Sequence, residues 1–164
     1  MNDRVYKCAK LLAKQSKLVQ KEFVINRRVD ISHLKEFCTV KVSTARRSGH
    51  TTAIVKIALE SVQKKKNVLV LSHNQHMSRA ICGQAINEVI PEMVNYTSHR
   101  LRTESNTIWF DSRGNNYDRF KGPQIDVVLV DCATFWSPNK IDEMYKIVAP
   151  SMMFVKYPII YLFE

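Results

Sequence analysis

The sequence predicts a three-layer α/β domain, in which a mostly parallel sheet is covered by helices on both faces, together with a basic N-terminal helical extension. Short apolar runs such as 67–71 (NVLVL) and 125–131 (IDVVLVD) alternate with helical patterns along the chain. Such runs are typical of strands that are buried on both faces of a parallel sheet. A length of 164 residues, of which 45% are hydrophobic, suffices for one core of ordinary size.

Residues 4–23 are predicted to form an amphipathic helix. Its apolar stripe follows helical spacing and consists of Val5, Cys8, Leu12, Val19 and Phe23. Six cations recur on nearly the opposite side, and they are Arg4, Lys7, Lys10, Lys14, Lys17 and Lys21. The common interpretation of such a charge run is a solvated helix face, and the functional alternative is a ridge that contacts nucleic-acid phosphates or lipid. Because the stripe has no Trp and little bulk, lipid is the weaker alternative.

From residue 31 onward, strands and helices alternate. Asp30 is a suitable N-cap for a short helix over 31–37. The predicted strands are 38–42, 67–71, 106–111, 125–131 and 158–163, and the predicted longer helices are 51–65, 75–90 and 140–148. Pro91 and Pro150 mark where the last two helices stop. We expect residues 1–30 to form the extension and residues 31–164 to form the α/β domain.

Positive charge is concentrated in the first two fifths of the chain. Residues 1–66 contain 16 Lys/Arg and five Asp/Glu, a net charge of +11, whereas residues 67–164 contain nine Lys/Arg and ten Asp/Glu, a net charge of −1. This asymmetry suggests a polyanionic partner, with nucleic acid ahead of anionic lipid, and a generally basic, soluble surface is the alternative. We therefore expect DNA as a partner.

Several classes of protein are excluded by composition. No run of 18 apolar residues is present, so no membrane-spanning helix is expected, and the first 20 residues are too basic for a signal peptide. The four cysteines form no CxxC pair, which argues against a zinc ribbon and favours free thiols in a reducing cytoplasm. His73 and His76 lie three residues apart without a nearby third ligand. They are therefore interpreted as polar residues at a strand end and a helix start.

Residues 43–52 (STARRSGHTT) connect the first predicted strand of the domain to its first long helix and fit a phosphate-binding loop. In the pattern GxxxxGK followed by Ser or Thr, Thr44 takes the first glycine position, Gly49 the second, His50 the lysine and Thr51 the hydroxyl that binds Mg²⁺. Backbone N–H groups at a helix start can bind phosphate oxygens. The predicted nucleotide-binding residues are Arg46, Arg47, Ser48, Gly49, His50, Thr51 and Thr52.

Asp131 is the second candidate, because it stands at the end of a hydrophobic strand, VVLVD. An acidic residue at this position can hold Mg²⁺ through water. In hydrolases a Glu commonly follows and orients the attacking water, but the next residue here is Cys132. A helix cap or loop carboxylate is the structural alternative for Asp131. The predicted metal ligands are Thr51 and Asp131, with ATP and Mg²⁺ as possible cofactors.

These residues resemble the ATPase domain of tailed-phage terminase large subunits, the motors that package DNA. ARRSGHTT aligns with family loops such as SRQLGKTT, Lys121-Gly122 stands where the family often has Arg-Gly, and VVLVDCATFW stands where it has a strand, Asp-Glu and a small apolar residue. The resemblance covers residues 37–164. It implies a P-loop NTPase-like fold, phosphate contact by Arg46, backbone approach at Gly49, and Mg²⁺ binding by Thr51 and Asp131. It also implies DNA, a packaging protein or a host protein as partner, in the cytoplasm of an infected bacterium.

The chain departs from this family at the positions that carry chemistry. His50 replaces the lysine, Cys132 replaces the glutamate, IIYLFE contains no recognisable coupling motif, and no nuclease domain is expected. Each of the first two losses costs about two or more orders of magnitude in rate. The leading hypothesis is therefore a pseudo-ATPase that binds DNA or protein. The alternatives are an ATPase that uses Arg46 or Arg47 as its loop cation, and a protein-interaction module that docks through residues 4–23.

Aromatic residues supply the remaining candidates. Trp109 and Phe110 lie near Arg113 and Arg119 and could stack on bases, but core packing is the favoured interpretation. Phe135 and Trp136 follow Asp131 and could contact a nucleotide, or could pack at the base of a sheet edge.

Overall fold

Seven strands form one sheet in the computed structural model, which describes residues 3–23, 31–44, 49–88, 95–97, 99–112, 124–149 and 157–164. The strands are β1 (Thr39–Val42), β2 (Val68–Ser72), β3 (Asn95–Thr97), β4 (Arg100–Arg102), β5 (Thr107–Ser112), β6 (Val127–Val130) and β7 (Ile159–Phe163). Their order across the sheet is β1-β7-β6-β2-β5-β4-β3. The first five strands in this order run parallel, whereas β4 and β3 form an antiparallel edge. The mostly parallel sheet is confirmed.

The helices are α1 (Arg4–Phe23), α2 (Ile31–His33), α3 (His50–Gln63), α4 (Gln75–Asn87) and α5 (Pro138–Val148). A π-helical turn over Leu34–Cys38 follows α2, and a 3₁₀ turn covers Ala133–Phe135. The start of α5 is two residues earlier than predicted, because Ser137 is its N-cap and Pro138 occupies its first turn. The helix α4 begins at the predicted residue, Gln75. Its N-cap is Asn74, whose Oδ1 accepts a hydrogen bond from the Met77 N–H at 2.9 Å.

Alternating side chains of the central strands pack into two hydrophobic cores, one on each face of the sheet. On one face, α1, α3 and α4 cover strand residues such as Val70 and Leu129. On the other face, α5 and the π-helical turn cover strand residues such as Leu69 and Val128. The three-layer prediction is therefore confirmed, and the near-continuous apolar strands follow from burial on both sides.

The buried stripe of α1 differs from the predicted one. Val5, Ala9 and Ala13 are buried, while Cys8 is exposed and Leu12 is half-buried. The larger apolar side chains dominated the sequence pattern, but small alanines allow the helix to lie close to β1 and α3. The Phe23 side chain lies outside the described residues. Polar contacts also hold α1, since Gln20 Nε2 donates to the Phe37 carbonyl at 3.1 Å.

The strands β3 and β4 were not predicted. Each has three residues, and their sequences, NYT and RLR, carry no hydrophobic run. Only a longer segment shows the alternation that identifies a strand. In the described part of the chain, no helix has the length and apolarity needed to cross a membrane.

Candidate functional site

A cavity of about 850 Å³ opens where β1, β6 and β7 reach their carboxyl ends. Because β7 lies between β1 and β6, the start of α3 and the residues after β6 approach the same cavity from two sides. Ligands of open α/β sheets bind at this edge of the sheet. The lining residues are Thr44, Gly49, His50, Thr51, Met77, Asp131, Cys132, Thr134, Phe135 and Glu164.

Gly49 is the N-cap of α3 and has the left-handed backbone angles φ 98° and ψ 28°. Residues with a Cβ rarely adopt this conformation, so glycine is required for the turn. Its carbonyl accepts the first intrahelical hydrogen bond, from the Ala53 N–H at 2.9 Å. The N–H groups of the first turn have no intrahelical acceptor, so His50 and Thr51 bring such donors to the cavity wall.

His50 occupies the lysine position of the loop pattern, and it is half-buried. Its Nε2 is hydrogen-bonded to the Thr44 hydroxyl, and its ring centroid lies 5.7 Å from that of Phe163. Burial lowers the pKa of His50, although the nearby Asp131 carboxylate opposes this shift. The imidazole is therefore mostly neutral at neutral pH, and it does not replace the fixed charge of a lysine.

Asp131 follows β6 directly and is 1% exposed. Its N–H donates to the Leu71 carbonyl at 2.8 Å, so the residue continues the pairing of β6 with β2. Its Oδ2 atom is buried and has no hydrogen-bond partner among the described residues. Burial raises the pKa of Asp131, and hydrogen bonds from Cys132 and the nearby His73 and His50 oppose this shift. Thr51 and Asp131 both line the cavity, and hydroxyl and carboxylate oxygens of this kind could hold a hard cation such as Mg²⁺.

Glu164 is a cavity residue that sequence reasoning missed. Its Oε2 accepts a hydrogen bond from the Ser43 hydroxyl at 2.8 Å, and its Oε1 lies 3.9 Å from Lys41 Nζ. Its backbone N–H donates to the Val42 carbonyl at 3.1 Å, which extends the pairing of β7 with β1. The signal was present in the sequence, because Glu164 follows an apolar strand just as Asp131 does.

The segment after β2 contributes His73, which was interpreted from sequence as a polar residue at a strand end. Its ring centroid lies 5.4 Å from that of Phe135. Its Nδ1 is buried and has no hydrogen-bond partner among the described residues. His73, Asp131 and Cys132 each offer one ligand atom, and these three atoms lie within 4.8 Å of one another. The sequence could not indicate this cluster, because the adjacency of β2 and β6 is a property of the strand order.

The remaining predicted nucleotide-site residues divide into two groups. Thr52 lies in the first turn of α3 and is half-buried, but it does not line the cavity. Arg46, Arg47 and Ser48 lie outside the described residues, as do Arg113 and Arg119 of the base-stacking alternative.

The aromatic candidates have different environments. Phe135 lines the cavity and is 54% exposed, whereas Trp136 is buried in the core. Phe110 is buried and Trp109 is half-buried, in agreement with the core-packing interpretation.

The predicted basic ridge lies along α1. Arg4, Lys7, Lys14, Lys17 and Lys21 are exposed. Lys10 differs, because its Nζ lies 3.1 Å from Glu60 Oε2 and also over the Tyr6 ring. Lys66 lies close to Lys17: burial lowers the pKa of Lys66, and the charges of Lys17 and Lys64 lower it further. Cations from α1 and from the segment after α3 therefore share one surface.

Comparison with known proteins identifies the fold. No family model matches the chain, and no curated protein matches its sequence significantly. An arginine-to-alanine mutant of the large terminase ATPase domain of Thermus phage P74-26 aligns with a TM-score of 0.59 at 13% identity, over 88% of this chain and 67% of that chain. A second structure of that domain aligns with a TM-score of 0.56 at 13% identity, over 87% and 66%. The chain has the fold of a large-terminase ATPase domain. It spans about two thirds of the length of those chains, and at this identity the similarity concerns the fold.

Proposed function

We propose that the chain is a terminase-type nucleotide-binding domain in which ATP hydrolysis is weak or absent. The observation that supports this proposal is that Gly49, Thr51 and Asp131 line one cavity, and that Oδ2 of Asp131 has no hydrogen-bond partner among the described residues. Donors at a helix start suit phosphate oxygens, and hydroxyl and carboxylate oxygens suit the Mg²⁺ that accompanies ATP. Bound Mg²⁺ would neutralise phosphate charge.

Among the residues that the structure describes, this cavity presents neither a lysine at the loop position nor a glutamate directly after Asp131. The neutral His50 supplies no fixed cation for the transferred phosphoryl group. Cys132 stands where a glutamate would orient water, and its thiol instead donates a hydrogen bond to Asp131. Since phosphoryl transfer depends on positioning and charge stabilisation, we expect binding to persist where turnover is poor.

A slow ATPase is the second candidate, and Glu164 favours it. This carboxylate lines the same cavity and could orient water in place of Cys132. The alternative cations Arg46 and Arg47 lie outside the described residues.

Nucleotide binding and turnover can be measured separately. We expect a fluorescent ATP analogue to bind the purified chain in a Mg²⁺-dependent manner, and Asp131→Asn to remove this dependence. Phosphate release by the wild-type chain should be near background. The proposal fails if the analogue does not bind, and rapid release that Asp131→Asn abolishes would instead establish an active ATPase.

We also propose that the exposed cations of α1 contact DNA. Five of the six predicted residues are exposed on one helix, and the segment after α3 adds further positive charge beside them. Neutralising phosphates releases counterions, so affinity should fall by about 0.9 log units per log unit of salt for each phosphate contact.

A salt titration with a labelled DNA duplex tests this second proposal. Lys14→Ala and Lys17→Ala should each reduce the slope of log affinity against log salt by about 0.9, the value for one phosphate contact. Lys146→Ala is the matched control, because this exposed lysine lies on α5, across the sheet. Equal effects of all three substitutions would indicate non-specific attraction only.

A protein partner for α1 is the remaining candidate, and two exposed leucines favour it. Leu11 and Leu18 are 65% and 55% exposed and lie two turns apart on the helix. Deleting α1 cannot test this role, because Val5, Ala9 and Ala13 belong to the core. Leu11→Ser with Leu18→Ser is the suitable variant, since it changes the exposed face alone.

A further inference from the structure

We propose that His73, Asp131 and Cys132 form a binding site for a thiophilic divalent cation of the Zn²⁺ class. The three ligand atoms lie within 4.8 Å of one another at the adjoining ends of β2 and β6. Two of the groups carry a buried atom that has no hydrogen-bond partner in the described part of the chain, Nδ1 of His73 and Oδ2 of Asp131. Asp131 is 1% exposed, and no donor among the described residues replaces, at Oδ2, the hydration that burial removes.

Strand pairing explains why these residues meet. Leu71 of β2 is paired with Val130 of β6, and Asp131 continues this pairing through its N–H. His73, which follows β2, and Cys132, which follows Asp131, are therefore brought to the same edge of the sheet. Cys132 has the left-handed backbone angles φ 51° and ψ 51°, which are uncommon for a residue with a Cβ.

The donor set selects the metal. Imidazole nitrogen, thiolate sulfur and carboxylate oxygen together suit Zn²⁺ and Co²⁺, whereas Mg²⁺ prefers oxygen ligands. Tetrahedral Zn²⁺ with bonds of about 2.0–2.3 Å needs donors about 3.3–3.8 Å apart. Side-chain rotation can close the present spacing, because His73 and Cys132 are half-buried rather than locked in the core. Three protein ligands leave a fourth position for water or a phosphate oxygen.

Metal binding has a defined proton balance. Asn74 Oδ1 accepts from the Met77 N–H, so the Asn74 amide nitrogen faces His73 Nε2 at 2.6 Å and places the imidazole proton on Nδ1. Coordination through Nδ1 moves this proton to Nε2 and displaces the exposed Asn74 amide. The Cys132 thiol, which now donates to Asp131, loses its proton to the solvent.

This proton balance gives a gain-of-affinity test. Asn74→Asp keeps an oxygen that caps α4 and adds an acceptor for the Nε2 proton of metal-bound His73. Carboxylate partners of this kind alter metal affinity by about 10- to 100-fold. Asn74→Asp should therefore tighten metal binding, an effect that a purely structural role of His73 would not produce.

The experiment is a titration of the full chain with Co²⁺ or Zn²⁺, with a non-thiol reductant and without nucleotide. We expect one ion per chain, and for Co²⁺ an intense tetrahedral visible spectrum with a thiolate charge-transfer band. His73→Ala and Cys132→Ser should weaken binding by about 100-fold, and Cys132→Ser should abolish the thiolate band. His76→Ala and Cys8→Ser are matched controls, because both residues are exposed and lie outside the cluster.

Both proposals use the Asp131 carboxylate, so the two ions would compete for it. Because the Co²⁺ or Zn²⁺ titration contains no nucleotide, its outcomes are distinct from those of the nucleotide proposal, which uses Mg²⁺ with an ATP analogue. Absence of stoichiometric Co²⁺ binding, an octahedral spectrum without a thiolate band, or equal losses in the control variants would overturn the metal site. Circular dichroism of His73→Ala and Cys132→Ser verifies folding, and the affinity of Asn74→Asp decides the matter if either of them unfolds.

Discussion

The Tyr6 hydroxyl on α1 donates a hydrogen bond to the Glu60 carboxylate on α3. The other oxygen of this carboxylate lies 3.1 Å from Lys10 Nζ. Glu60 is the acceptor of both groups, so a single side chain on α3 holds two side chains of the basic helix. Burial alone would raise the pKa of Glu60, but the hydrogen bonds from Tyr6 and Lys10 outweigh it and lower the pKa.

We predict that Glu60→Gln lowers the free energy of unfolding by about 1 kcal/mol, because charge-assisted hydrogen bonds to Tyr6 and Lys10 are lost. The modest size reflects partial exposure of the pair. Urea unfolding measures the change. Glu88→Gln, at an exposed position after α4, is the control and should change stability by less than about 0.5 kcal/mol. Equal effects of the two substitutions would contradict a structural role for the contact.

Alkaline pH should weaken the same contact. Burial, followed by the hydrogen bond to Glu60 and the charges of Glu60 and Asp3, raises the pKa of Tyr6 from 10.0 to about 12. The folded chain therefore holds this proton more tightly than the unfolded chain. Its contribution to stability is complete below pH 10 and is lost as the pH rises through 12.

Comparing wild type with Tyr6→Phe isolates this effect. Burial also raises the pKa values of Tyr145 and Tyr161, so both chains should lose stability at alkaline pH. The wild type should lose more, and the difference should develop across the interval between the two pKa values of Tyr6. Urea unfolding at a series of alkaline pH values measures the difference, and parallel curves for the two chains would refute the assignment.

The parallel strands and the long helices could be predicted from sequence because their patterns depend on local burial. Strand 67–71 and helix 75–90, for example, correspond to β2 and α4 with small shifts at their ends. The buried face of α1 was misassigned because Ala9 and Ala13 carry little hydrophobic signal, although both are buried in the core. Pattern strength and burial therefore differ for small residues.

The residues of the candidate site could be predicted where they belong to one continuous sequence motif. Gly49 and Thr51 belong to one loop, and Asp131 ends one strand, so their places follow from local sequence. Glu164 also follows an apolar strand, but its place beside the loop depends on β7 lying between β1 and β6. The approach of His73 to Asp131 depends on β2 lying next to β6, and only the assembled sheet specifies these neighbours.

Asp131→Asn should stabilise the chain in the absence of ligands, by about 1–3 kcal/mol at neutral pH, because burying a carboxylate whose Oδ2 has no partner among the described residues is costly. Burial raises the pKa of Asp131 above its ordinary value of 3.8. The folded chain therefore binds this proton more tightly than the unfolded chain. The contribution of the proton to stability is complete below pH 3.8 and is lost as the pH rises through the pKa of the folded state.

Urea unfolding of wild type and Asp131→Asn at acidic and neutral pH checks this prediction. The advantage of the variant should be largest at neutral pH and should shrink on acidification. Asp126→Asn is the control. Asp126 Oδ2 accepts a hydrogen bond from the Asn67 N–H at 2.8 Å, so this substitution should lower the free energy of unfolding. Destabilisation of both variants at neutral pH would show that the Asp131 carboxylate is satisfied by contacts of its own.

Restoring the two missing groups should restore hydrolysis. His50→Lys places a fixed cation at the start of α3, and we expect it to tighten ATP-analogue binding by about tenfold, a gain of about 1.4 kcal/mol. The double variant His50→Lys with Cys132→Glu adds a water-orienting carboxylate beside Asp131, and its phosphate release should exceed that of His50→Lys with Cys132→Ala by about 100-fold. Adding Asp131→Asn should abolish the gain. If the Glu and Ala variants turn over equally, while Glu164→Gln removes the remaining activity, then Glu164 rather than residue 132 orients the water.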